Sequence, residues 1–250
     1  MLRPKPVCWL LVLCCSIVGT LSIRADTISL QPVADTFLQE AFPDNNLGGG
    51  PTFTSGTRRA GGRTRALLLF DVTGSVPAGA TINSASLILT LTSTPSGGAV
   101  STFDLSRVLA TWGEGTGSDR SGGTSAGVGE ASWNTRLGPG TPWSNPGGDF
   151  SAAVSASQFI TGNGIYTFTS TPGLVGDVQA WLDSPTNNFG WALVSELEAT
   201  PATIRRFASR EDATSTPRLV LQFTVPEPAA LSLAGLGLGL IVARRRSRAN

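Results

Sequence analysis

The sequence predicts an all-β protein, an antiparallel β-sandwich of jelly-roll type with one short helix, followed by a C-terminal transmembrane helix. Three observations carry this reading. Between two apolar ends lies a stretch rich in Gly, Ser, Thr, Val and Leu with scattered prolines, a composition that favours short strands joined by turns. Only one segment in it has the period of an amphipathic helix. No repeat of fixed period is present, which disfavours a solenoid or propeller and leaves one large β domain over residues 26–224.

The first element is a leader, residues 1–25. Arg3 and Lys5 precede an apolar core from Val7 to Leu21, and Ile23 and Ala25 occupy the positions where signal peptidase favours small residues. A signal peptide cleaved after Ala25 is expected. Cys8, Cys14 and Cys15 all lie inside it, so the mature chain carries no thiol, and disulfides and zinc-thiolate sites are excluded.

The strands follow. TISLQPVADTFLQEAF alternates in a way that suits one or two strands, and PDNNLGGGPTF after it is turn chemistry. RALLLFDV and ASLILTLTS are too continuously apolar for a solvent face, so both are expected to be well buried, with Leu67, Leu69 and Ile88 among them. TFDLSRVLATW is a further strand. The Gly/Ser-rich excursion after it, from Gly113, is long enough to be mobile and poor in residues that could build a core. GIYTFTS, NFGWALVS, TIRRFAS and PRLVLQFTV complete the set. The helix is PGLVGDVQAWLD, in which Leu174, Val175, Val178, Trp181 and Leu182 share a face and bury Trp181.

The tail starts with Pro226, Glu227 and Pro228. Ala229 to Ala243 is free of charge, and as a helix it covers about 22 Å of a roughly 30 Å hydrocarbon core, a marginal anchor. Arg244, Arg245, Arg246 and Arg248 put that end in the cytoplasm and the domain outside.

Charge and composition exclude several functions. The domain has eleven arginines, no lysine and sixteen acids, about five net negative charges, so nucleic acid is not expected as a partner. GTSAG, Gly123–Gly127, fits the nucleophile-elbow pattern, but the chain contains no histidine and its Gly/Ser surroundings supply neither strand nor helix. Carboxylates remain as the acid/base option. Glu40, Asp71, Asp104, Glu114, Glu130 and Glu211 offer such pairs, with no spacing that singles one out. The expectation is that the protein is not an enzyme and that these acids cap turns or pair with arginines.

Binding residues are easier to nominate. Trp112, Trp133 and Trp143 border Gly- or Pro-rich loops and are candidates for stacking on a sugar. Arg58, Arg59, Arg63 and Arg65 form the one cationic patch, suited to carboxylates or sulfates of an acidic polysaccharide. Trp181 and Trp191 sit in apolar patterns and belong to the core. Calcium is the metal that fits, through Asp35, Glu40, Asp44 and Asn46 in DTFLQEAFPDNN, as a structural ion and with no certain cofactor otherwise. Turn formation by the same Asp and Asn residues is the competing reading.

Two resemblances follow from blocks already quoted. ADTFLQEAFPDNNLGG, RALLLFDV with PAGATINSASLILTLT, WGEG, ASWN, LVGDVQAWL with NNFGWAL, and FASREDATSTPRLVL succeed one another as in the DNRLRE domain, over essentially Asp26 to Phe223. The resemblance implies a secreted, carbohydrate-binding-module-like β-jelly roll. Residues 225–250 resemble the PEP-CTERM sorting signal of Gram-negative bacteria. That implies recognition of Pro226, Glu227 and Pro228, with Arg244, Arg245 and Arg246, by an exosortase-type membrane peptidase, and contact with the membrane through 229–243. Together they imply export across the inner membrane to the envelope, outer surface or an exopolysaccharide matrix. A structural surface protein without sugar binding, and a carboxylate-dependent polysaccharide hydrolase or lyase, remain the alternatives.

Overall fold

A computed structural model describes residues 24–118 and 122–226. The leader up to residue 23 and the tail from residue 227, with the transmembrane helix expected over 229–243, lie outside the described residues. Among the described residues no helix is long and apolar enough to cross a membrane.

The chain order is β1 (Arg24–Leu30), β2 (Ala34–Gln39), β3 (Asn45–Asn46), β4 (Thr52–Thr57), β5 (Arg63–Leu69), β6 (Thr81–Ser93), β7 (Ser101–Val108), β8 (Thr124–Ser125), β9 (Phe150–Ile160), β10 (Gly164–Phe168), α1 (Pro172–Asp183), β11 (Trp191–Ser195), β12 (Arg205–Ala208) and β13 (Arg218–Val225). Every pairing among these strands is antiparallel. Eleven of them form one sheet, ordered β1-β13-β6-β12-β4-β5-β11-β7-β9, with β10 added to β6 and β2 to β5. The curl is made at β4. Its first four residues pair with β12, and Gly56 and Thr57 pair with β5, so one strand serves both arms of the sheet.

The two arms enclose the main core. β6 turns Ala85, Leu87, Leu89 and Leu91 inward by simple alternation, and Leu219 and Leu221 of β13 join them. From the other arm come Leu68, Phe103, Leu105, Trp191 and Leu193. Each Leu or Phe among them, fully buried, contributes roughly 1.5–3 kcal/mol. Helix α1 packs on β6 and β9. Thr171 caps it, its Oγ1 accepting from the Leu174 N–H at 3.0 Å, and Pro172 occupies the first turn, where no donor is missed. Trp181 and Trp191, both read as core, meet at 4.4 Å between ring centroids.

A second core explains why β5 is apolar on both faces. Ala66 and Leu68 point into the main core, whereas Leu67 packs with Leu38, Val108, Trp112, Ala131, Trp133, Trp143 and Ala192 on the outside of the sheet. That layer is the excursion between β7 and β9, which overturns the expectation that it builds no core. Its glycines let backbones touch: a Cβ on Gly113 would lie 1.6 Å from the Gly129 carbonyl oxygen. Asn46 pins the excursion from below. Fully buried, it donates to the carbonyls of Glu114 (2.7 Å) and Ala131 (2.8 Å) and accepts from the N–H groups of Gly48 and Gly117, which uses both donors and both lone pairs of the amide.

Candidate functional site

The residues nominated from sequence are distributed differently from expectation. Trp112, Trp133 and Trp143 are 8%, 4% and 3% exposed, so no indole face is available to stack on a sugar. Two of them are also satisfied at their polar tips: Trp112 donates to the Phe189 carbonyl at 2.8 Å and Trp143 to that of Ser132 at 2.9 Å. They are the apolar filling of the second core. Sequence proximity to glycines suggested exposure, but those glycines shape the backbone around the rings.

Half of the cationic patch is likewise used internally. Arg63 forms a two-point pair with Glu40 (Nε 3.1 Å, NH2 2.7 Å), and Arg65 one with Glu198 (2.8 and 2.7 Å). Both guanidiniums lie against Trp133, at 5.1 and 5.2 Å from its ring centroid, so the pair frames the indole and the acids neutralise it. The Arg63 hydrogen bonds hold the Glu40 carboxyl down at about 2. Arg59 donates to the Ser96 carbonyl. Arg58 stacks over Phe42 at 5.9 Å and has no acidic partner among the described residues.

The nominated calcium ligands do not converge. Glu40 is held by Arg63, Asp44 accepts from Asn134 Nδ2 at 2.8 Å, and the Asn46 amide is consumed by backbone. Asp35 instead meets Glu114 and Glu211, one oxygen of each lying within 4.8 Å of the others. Among the described residues this is the one grouping of acids that offers three ligand atoms to a cation. A guanidinium already stands in it: Arg210 NH1 is 2.8 Å from Glu114 and 3.6 Å from Glu211, and the Arg210 N–H donates to Asp35 Oδ2 at 2.7 Å. Burial pushes the Asp35 carboxyl up to about 8 and raises that of Glu114. The cluster ties β2, the excursion and the β12–β13 connection together. Of the other acids, Asp71 caps the Gly74 turn, Asp104 accepts from Ser157, and Glu130 accepts the N–H groups of Thr116 and Gly127. Ser125 of GTSAG is exposed in the short β8 ribbon, far from any strand-to-helix turn.

What the fold does assemble is a cleft of about 320 Å³ on the outer face of β4, β12 and the end of β6. Thr54, Arg206 and Ser93 lie side by side across three paired strands, because Arg206 is opposite Thr54 in one ladder and Ser93 in the next. Thr52, Thr64, Thr92 and Ser118 add hydroxyls, Gln39 an amide and Phe37 an apolar wall, and Arg58 closes the end. A neighbouring cavity of about 180 Å³ shares Thr54, Ser93 and Arg206. No acidic side chain lines either cavity among the described residues. Thr54 borders both cavities but is only 6% exposed, and its Oγ1 is buried without a hydrogen-bond partner. Arg206 is exposed and makes no ion pair among the described residues, in contrast to Arg205, which is buried and donates to the carbonyls of Ala99, Thr203 and Ile204. Alternation along TIRRF was the signal that separates the two arginines, one inward and one outward.

The cleft holds hydroxyl donors and acceptors, two guanidiniums and one ring edge, and no nucleophile–base pair lines it among the described residues. No curated protein matches the chain. Residues 224–247 match the PEP-CTERM protein-sorting motif, so the β domain carries at its C-terminal boundary the signal of an exported protein handled by an exosortase-type system.

Proposed function

We propose that the chain is a non-catalytic, exported surface or matrix protein whose β domain, of jelly-roll type, binds an acidic polysaccharide in the Arg58–Arg206 cleft. The observation that carries this reading is the exposed Arg206, without an ion pair among the described residues, in a cavity bordered by hydroxyls and free of described acids. On a domain with about five net negative charges, a local cationic groove is what a polyanion needs in order to approach. The carboxylate cluster around Asp35 does not line this cleft, which favours binding over hydrolysis.

Retention of the folded domain on immobilised uronate-rich and sulfated glycans, with neutral glycans beside them, tests the reading. Retention on the acidic chains that weakens with salt is the expected result. A folded domain that passes every glycan unretarded but self-associates would overturn it in favour of a structural surface protein. Product release that is lost on neutralising one carboxylate would overturn it in favour of an enzyme.

A further inference from the structure

Two residues of the leader are paired with the first two residues of the sorting motif. β1 runs antiparallel to β13 with Arg24 opposite Val225 and Ala25 opposite Thr224. The expected leader ends at Ala25, and the matched motif begins at Thr224. On its other side β13 pairs with β6 only as far as Thr224, opposite Thr81. Among the described residues Val225 therefore has Arg24 as its one strand partner, and Thr224 has two, Ala25 and Thr81. Cleavage after Ala25 removes the partner of Val225 and one of the two partners of Thr224.

The surroundings make this pairing the natural point of control. β1 is the terminal strand of the sheet order, so among the described residues no further strand lies outside it. Pro226, exposed, cannot donate to a ladder, so pairing stops at Val225. A peptidase commonly takes its substrate as an extended strand whose own backbone groups are free to pair. Val225 is extended in the fold, and while Arg24 remains its backbone stands against a strand partner; Thr224, whose N–H and C=O point to the opposite side of β13, keeps Thr81.

We propose that Arg24 and Ala25 act as a clasp on the start of the sorting segment, so that removal of the leader frees Val225 for recognition by the tail-processing enzyme. Maturation is thereby ordered, leader first and tail second. This rests on cleavage after Ala25 and on the exosortase reading of the tail.

The test uses the full chain in cells that contain an exosortase-type system. Thr20→Ala with Ser22→Ala places a better cleavage site after residue 22, so that export proceeds but Arg24 and Ala25 stay on the mature chain; intact mass reports both ends. In a pulse-chase the wild type is expected to begin at Asp26 and lose its tail, while the clasp-retaining chain keeps its tail several-fold longer. Adding Arg24→Pro to that variant breaks the pairing and is expected to restore tail loss. Hydrogen exchange supplies a second readout: the Val225 amide should exchange at least ~10-fold faster in the chain that begins at Asp26 than in the clasp-retaining chain. Equal tail loss in both chains, equal exchange at Val225, a leader-bearing precursor that already lacks its tail, or a wild-type N-terminus other than Asp26 would each overturn the clasp. A wild-type chain that never loses its tail overturns the sorting reading itself, and the clasp with it.

Discussion

Arg210 serves Asp35 and Glu114 with different atoms: its backbone N–H donates to Asp35 Oδ2 at 2.7 Å, while its guanidinium reaches Glu114 at 2.8 Å. The positive charge is thus spent on the more exposed acid, and Asp35 is left buried with a carboxyl pushed up to about 8 from an ordinary 3.8.

The first prediction is a pH dependence of stability. Between about pH 4 and 8 the folded chain holds a proton on Asp35 that the unfolded chain has released, so the contribution of this group to stability is greatest below that window and declines as pH rises through it. The slope is at most ~1.4 kcal/mol per pH unit. Denaturant unfolding at pH 5 and pH 8 should show the decline, and Asp35→Asn should flatten it. Glu40 works in the opposite sense and lower on the scale. Its carboxyl is depressed to about 2, so its pairing with Arg63 is present above the ordinary carboxyl range and is lost on acidification toward 2.

Trp133→Ala should destabilise by about 3–5 kcal/mol, the range for removing a buried aromatic. The indole is 4% exposed and flanked by Arg63 and Arg65. Thermal unfolding measures the loss. If Trp133 stacked on a ligand, the variant would instead melt near wild type and fail to bind.

Thr54→Val separates stability from binding. The hydroxyl is buried without a partner, so replacing it with an isosteric methyl should raise stability by about 1 kcal/mol. Arg206→Ala should weaken retention on acidic glycans, whereas Thr54→Val, which removes an inaccessible hydroxyl, should leave retention unchanged. Arg206→Ala should leave stability within ~0.5 kcal/mol, because its side chain is exposed and unpaired among the described residues. Affinity electrophoresis and calorimetric melting read the two effects separately.

Asn46→Ala should release the β7–β9 excursion. It strands the Glu114 and Ala131 carbonyls and the Gly48 and Gly117 N–H groups together, at a cost of at least ~2 kcal/mol. Limited proteolysis should then cut within 109–149 at protease levels that leave the wild type intact.

Strand positions were legible where burial is one-sided or continuous. PGLVGDVQAWLD marks the bounds of α1, and RALLLF and ASLILTL mark β5 and β6. β9 was not legible, because FSAAVSASQFI is made of small residues with a break of register near Ser106 and gives no clean alternation. β4 was hidden for another reason: TFTSGT reads as a continuation of the glycine-rich turn before it, yet it is the strand that joins the two arms.

The site was less legible than the fold, since it depends on which face each residue takes after long-range pairing. Arg58 was visible as part of a patch. Arg206 became interesting only once β12 lay between β4 and β6 with the guanidinium outward beside Thr54. The tryptophans misled because a loop rich in glycine can still fold over a sheet and bury aromatic rings when an amide such as that of Asn46 satisfies its backbone.

The tail leaves from β13, and β13 is an interior strand, paired with β1 along Leu219–Val225 and with β6 along Arg218–Thr224. Mechanical load passing from Val225 into Leu219–Phe223 therefore meets two hydrogen-bonded ladders in parallel even after the leader has gone, where an edge strand would offer one. Wherever this domain is tugged by its C-terminus, as a tethered body in flowing water would be, force is shared across the sheet before any strand can peel.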